Sequence, residues 1–191
     1  MGFGLTVGPP VSDLLTLDEL KAHLRVDHDA EDKYIEGLGR AAVELTEKES
    51  RRLWLLRAIT LTLAGWPDDG GPIELPTVAA NLTAVTYYAA DGTLTTLAGC
   101  QDWLTHSPPL VYPPVNTSWP GLMAGKAISV TVTYTAGAGN KRDVPDLAKE
   151  AVKIAVADWY ENRGDAKSPH EHGLPAGAVR LCGLLRTGDY P

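Results

Sequence analysis

The sequence predicts an α+β protein: a small bundle of three to four helices with an inserted antiparallel β-rich module. Two observations carry this. Between Ala58 and Asn140 only six residues are charged, yet 13 of the 17 threonines and 8 of the 14 prolines fall there. β-branched residues broken by turn formers suit strands and tight loops. On either side the chain is charged and its apolar residues recur at helical spacing. The boundaries drawn are 11–57 and 141–191 for the helical part and 58–140 for the β-rich module.

Thr16 opens the first helix, because its hydroxyl can cap free amides and Glu19 completes a capping box. Leu17, Leu20 and Leu24 then share one face. Asp27-His28-Asp29 is expected to close this helix and cap the next. That second helix is predicted from Ala30 to Ser50, with Glu31 and Asp32 opposing the dipole of its first turn. Tyr34, Ile35, Leu38, Ala41, Ala42 and Leu45 form its apolar stripe. Gly37 and Gly39 weaken it, and would admit a close neighbouring helix.

In the middle section Ile59, Leu61 and Leu63 alternate with Thr60 and Thr62, predicting a strand with one apolar face. Leu82–Tyr88, the Asp91-Gly92 turn and Thr93–Leu97 read as a hairpin. Ile128–Thr135 alternates throughout, as a half-buried antiparallel strand does. The five prolines from Pro108 to Pro120 predict an extended loop that donates nothing to a ladder.

Asp143-Val144-Pro145-Asp146 begins a third helix. Its expected buried face is Leu147, Ala148, Ala151, Val152, Ala155, Val156 and Trp159, and it is expected to end near Arg163-Gly164. Residues 165–175 read as a loop. A short amphipathic helix follows at Ala176–Leu185, with Val179, Leu181, Leu184 and Leu185 apolar.

Composition narrows the function classes. The chain has 191 residues, 44% of them hydrophobic and 21% charged, which suits one globular domain or one domain with a large insertion. Net charge is −7, and residues 13–50 hold 11 acids against 5 bases. No segment forms the basic face that gripping a phosphate backbone requires. No secretion signal and no apolar run of membrane-spanning length is read.

Chemical motifs are few. Gly137-Ala138-Gly139-Asn140-Lys141-Arg142 lacks both the third glycine of a dinucleotide site and the Gly-Lys-Ser/Thr of a P-loop, so it reads as a strand-to-helix hinge. His170-Glu171-His172 offers neighbouring metal ligands without a second cluster, and reads as a solvated loop. Cys100 and Cys182 have no metal or redox spacing and read as reduced thiols. The five tryptophans read as core or interface anchors, and only Trp54 has basic neighbours. No nucleophile–base pair can be nominated, so neither catalysis nor a cofactor is expected. The alternatives are a β-rich ligand- or carbohydrate-binding module of a virion or host protein and, last, an enzyme.

Several segments together resemble one family. Residues 11–47, VSDLLTLDELKAHLRVDHDAEDKYIEGLGRAAVELTE, are similar to the two opening helices of head-tail connector (adaptor) proteins of long-tailed phages and gene-transfer agents. ITLTLAGWP, IELP, VTYYAADGTLTTL and NTSWP look like that family's β insertion. VTVTYTAGAGNKRDVPDLAKEAVKIAVADWYENRGD resembles its strand, Thr-Ala-Gly, Val-Pro and Trp-Tyr-Glu-Asn-Arg signature, and LPAGAVRLCGLLR its closing helix. The resemblance runs in order over residues 11–186. It departs at residues 50–57, where Ser-Arg-Arg-Leu-Trp-Leu-Leu-Arg lacks an aromatic-x-Gly-Arg turn.

The resemblance implies a virion protein of the phage neck, assembled in the bacterial host cytoplasm. It implies a homo-oligomeric ring, usually of twelve copies, with portal protein above, stopper or tail proteins below and double-stranded DNA passing non-specifically through. No membrane and no cofactor are implied. By analogy the C-terminal segment, with Leu181, Leu184, Leu185, Arg186 and Tyr190, docks on the portal; alternatively it folds back onto the chain's own core. Glu31, Asp32, Glu36 and Glu44 are candidate channel-facing acids that would repel DNA and let it slide.

Overall fold

A computed structural model describes residues 3–163 and 173–186. The chain divides into two compact units, a β unit of residues 1–10 and 56–137 and a helical unit of residues 11–55 and 138–191. Four helices and two antiparallel sheets among the described residues make the fold α+β.

In the helical unit, α1 (Leu17–Leu24) begins as its sequence dictates. Thr16 accepts the Glu19 N–H at 3.2 Å, and Glu19 accepts the Thr16 N–H at 2.7 Å. α1 closes at Arg25 in the left-handed conformation, not at Asp27-His28-Asp29. Asp29 instead takes a bond from Lys21 at 2.6 Å, and the same ammonium reaches Asp32 at 2.8 Å. α2 (Asp32–Ser50) starts two residues later than expected, with Glu31 as an N-cap that makes no side-chain cap bond.

α2 buries Ile35, Gly39, Ala42, Thr46, Glu47 and Ser50. Tyr34 and Ala41, expected on the apolar stripe, are exposed. A stripe holding to the 3.6-residue period through Ile35, Gly39, Ala42 and Thr46 leaves their neighbours outside. α3 (Asp146–Glu161) starts after Pro145 and buries Ala148, Ala151, Val152, Ala155 and Val156. Leu147 is 42% exposed, a correction with the same cause: the expected face was one residue too wide. α4 (Ala176–Leu184) contributes Ala178 and Cys182 to the shared core, with Leu14, Leu20, Ile35, Trp54, Leu55 and Leu174. Each fully buried Leu or Ile stabilises the fold by roughly 1.5–3 kcal/mol relative to exposure.

Trp54 is buried with its polar groups satisfied. Its indole Nε1 donates to Thr46 Oγ1 at 3.3 Å and its backbone N–H to Glu47 Oε1 at 2.9 Å. Leu55 bridges Ala138, whose N–H donates to the Trp54 carbonyl at 3.2 Å.

The β unit is built on a five-stranded sheet of order β1 (Phe3–Val7), β2 (Arg57–Leu63), β8 (Val130–Ala136), β4 (Ala79–Tyr88) and β5 (Leu94–Thr96), all neighbours antiparallel. β2 (Arg57–Leu63) and β8 (Val130–Ala136) alternate as their sequences demand, burying Ile59, Leu61 and Leu63 against Val130, Val132, Tyr134 and Ala136. β8 starts two residues later than expected, leaving Ile128 51% exposed. β4 (Ala79–Tyr88) carries two register shifts and turns into β5 (Leu94–Thr96) through Gly92, at φ 85°, with Asp91 Oδ1 accepting the Thr93 N–H at 2.9 Å. β1 (Phe3–Val7) is a strand that the sequence reading did not assign.

A second sheet has the order β3-β7-β6: β3 (Ile73–Glu74), β6 (Gln101–Trp103) and β7 (Leu110–Tyr112). β7 corrects the expected donor-free loop. The prolines bracket Leu110-Val111-Tyr112 without entering it, so its amides remain available. Trp66 and Trp119 stack with centroids 4.5 Å apart, and their Nε1 groups donate to the carbonyls of Pro120 and Gly71.

Candidate interaction surfaces

The acids singled out at the start of α2 and along it differ in how closely a cation holds them. Glu31 accepts two N–H groups of Arg163 and the hydroxyl of Tyr160. Arg163 in turn lies 4.3 Å from the Tyr160 ring centroid and 4.7 Å from that of Tyr34. The guanidinium first, then the Tyr160 hydroxyl, hold the Glu31 carboxyl at about 2, well below the usual carboxylate range. The same bond to Glu31 pushes the Tyr160 phenol up.

Asp32 receives Lys21 at 2.8 Å, and the bonds to Asp29 and Asp32 push the Lys21 ammonium upward. Glu36 approaches Arg40 only to 3.9 Å, and both are exposed. Glu44 is exposed on the next turns of the helix. A carboxylate held closely by a cation presents little net charge to its surroundings; of the four acids Glu36, with its long contact to Arg40, and Glu44 are the exposed ones.

In the C-terminal segment, Leu181 and Leu185 are half-buried and pack against the helical core, whereas Leu184 is 70% exposed. Arg186 is turned back onto α2, its Nε donating to the Glu49 carbonyl at 3.0 Å and its Nη2 to the Glu49 carboxylate. Arg52 reaches the Leu185 carbonyl at 3.5 Å. Tyr190, the His170-Glu171-His172 run and Gly164 lie outside the described residues.

Elsewhere chemistry is sparse. Burial pushes the Cys182 thiol up to about 11 and the Cys100 thiol upward as well. An open hollow is lined by Gln101, Tyr112, Pro113, Pro114, Asn116 and Thr117, with no carboxylate, imidazole, amine or thiol among them. Among the described residues no group of three or more His, Cys, Asp or Glu could hold a metal ion. No described helix is long and apolar enough to cross a membrane.

Besides the second sheet, sequence reasoning missed two features. The Arg163–Glu31–Tyr160 cluster joins residues about 130 positions apart, and no local signal announces such a contact. The exposed strand β1 did leave a signal, Phe3, Leu5 and Val7 alternating with Gly4 and Thr6.

Comparisons with known proteins extend this picture. The family model of phage gp6-like head-tail connector proteins matches residues 14–93, which span α1, α2, β2, β3 and β4. A chain from the neck of an empty gene transfer agent particle, computed with C6 symmetry, is 24% identical with a TM-score of 0.76, covering 100% of this chain and 98% of that one. One from the virion of a native gene transfer agent particle is 25% identical with a TM-score of 0.74, covering 98% and 97%. A third, from a native neck computed with C12 symmetry, is 24% identical with a TM-score of 0.67, covering 96% of each. No curated protein matches the sequence. Residues 14–93 thus match the phage gp6-like head-tail connector model by sequence, and the chain shares its fold with chains of gene transfer agent particles.

Proposed function

We propose that this chain is a structural head-tail connector (adaptor) subunit of a virion neck and not an enzyme. The observation that carries the reading is the convergence of the connector family match on residues 14–93 with a fold shared end to end with neck chains. The related necks have C6 and C12 symmetry, which supports a ring-like oligomer in the virion. In our reading the ring docks under a portal protein, carries stopper or tail proteins below and passes double-stranded DNA non-specifically, assembling in the host cytoplasm.

Glu36 and Glu44 are the acids best suited to line such a channel, since solvated carboxylates repel a phosphate backbone while engaged ones do so weakly. Leu184 is the best candidate for portal docking, an exposed apolar side chain beside others that are needed in the core. Disrupting the gene and imaging the particles tests the reading. DNA-filled heads without tails, with free tails alongside, support it; normal infectious particles overturn it.

A further inference from the structure

β1 is the edge of the five-stranded sheet, and among the described residues no strand lies beyond it. The Gly8 N–H donates to the Ala58 carbonyl at 2.8 Å, so the hydrogen-bonded pairs are those of Gly8, Thr6 and Gly4 with β2. In an antiparallel ladder the intervening residues direct their N–H and C=O groups the other way. Phe3, Leu5 and Val7 therefore present both backbone groups to the outside.

The same three residues carry the exposed side chains. They sit opposite Leu63, Leu61 and Ile59, whose side chains are on the same face and buried. The apolar face of the sheet continues onto β1, but its cover stops: Phe3 is 63%, Leu5 38% and Val7 42% exposed. Natural edge strands are blunted by lysines, prolines or bulges. Residues 1–12 hold no charged side chain, the β1–β2 pairing is regular, and Pro9 and Pro10 come after the strand has ended.

The opposite edge of this sheet is β5. It too is uncharged from Gly92 to Gln101, and its Leu94 is 63% exposed. A ring needs a heterologous contact, two different surfaces that meet at every joint, whereas a contact of one edge with itself would close at a dimer. Among the described residues, one sheet with two terminal strands of uncharged sequence supplies such a pair. Because successive strands alternate in direction across five strands, β1 and β5 run the same way, and copies related by rotation would meet in parallel.

We propose that the outer edge of β1 in one copy adds as a strand to the β5 edge of the next, making a β seam between neighbouring copies. The proposal rests on the ring reading above and deepens it by naming the surface. Main-chain bonds supply the adhesion, and Phe3, Leu5 and Val7 gain the cover they lack.

The test is a disulfide trap in assembled particles. In a Cys100→Ser background, Leu5→Cys and Thr95→Cys are introduced together, and particles are oxidised and run on non-reducing gels. A ladder of linked copies is expected. Tailed particles that contain the chain but give only unlinked copies would overturn the seam and leave the connector reading standing. Particles that lack the chain altogether would overturn both. As a second measurement, Leu5→Lys with Val7→Lys is expected to preserve the melting temperature, since both side chains are exposed, while abolishing ring assembly; rings retained in that variant would also overturn the seam.

Discussion

The carboxylate of Glu31, just before α2, receives two N–H groups from the guanidinium of Arg163, just past α3. The pair ties the start of one helix to the end of another, with Tyr160 and Tyr34 flanking the cation. It also makes stability depend on pH in a definite direction. The Glu31 carboxyl is depressed to about 2 from an ordinary value of about 4.3, so its contribution is fully present above the ordinary value and is lost as pH falls through about 2. Glu31→Gln should lower the melting temperature at pH 7, and the difference from wild type should shrink between pH 4.5 and 2. Thermal melts across that range check this; a constant difference would refute the pairing.

The two glycines of α2 should respond oppositely to substitution. A Cβ at Gly37 would meet nothing within 4 Å, so Gly37→Ala should stabilise by about 0.5–1 kcal/mol through helix propensity. A Cβ at Gly39 would come within 2.7 Å of Leu20 Cδ1, where α1 crosses. Gly39→Val should cost about 1–3 kcal/mol by overpacking a buried site. Urea unfolding of the two variants separates the cases.

Arg51 ends α2 at φ 55°, a conformation that costs an L-residue about 1–2 kcal/mol and a glycine nothing comparable. Residues 50–57 hold no glycine, and the backbone adopts a left-handed turn at this junction all the same. Arg51→Gly should stabilise by about 0.5–1 kcal/mol, the relief being partly offset by greater freedom of the unfolded chain. Chemical denaturation measures it, and a loss of stability would show that the arginine side chain matters more than its backbone.

The thiols should differ in access. Cys182 is fully buried in the helical core and its thiol is raised to about 11, so the reactive thiolate is scarce at neutral pH. Cys100 is partly exposed. A thiol reagent at pH 8 should modify Cys100 in the folded protein and reach Cys182 only on unfolding. Labelling followed by peptide mass analysis decides it.

Legibility followed the range of the interactions. The Thr16–Glu19 box and the alternation in β2 and β8 are local, and their residues state them outright. The Asp91-Gly92 turn is equally local. β1 was missed because its five residues include a glycine and its partner strand lies more than 50 positions away. β7 was missed because the prolines drew attention from the three residues they bracket. Of the candidate surfaces, the residues were correctly seen as polar or apolar, but their partners were not. Whether Glu31 stands as a charge depends on Arg163, and whether Arg186 is available depends on Glu49; both are tertiary facts.

The hydrogen bond from Ala138 to Trp54, beside the Leu55–Ala138 bridge, fastens together the two points where the chain leaves the helical unit and returns to it. The helical unit thereby shuts its own gap with bonds that involve no residue between 56 and 137. Lengthening, trimming or exchanging that intervening stretch leaves the closure chemically intact. Such a gate lets one half of a protein accumulate change in size and decoration while the other half keeps its shape.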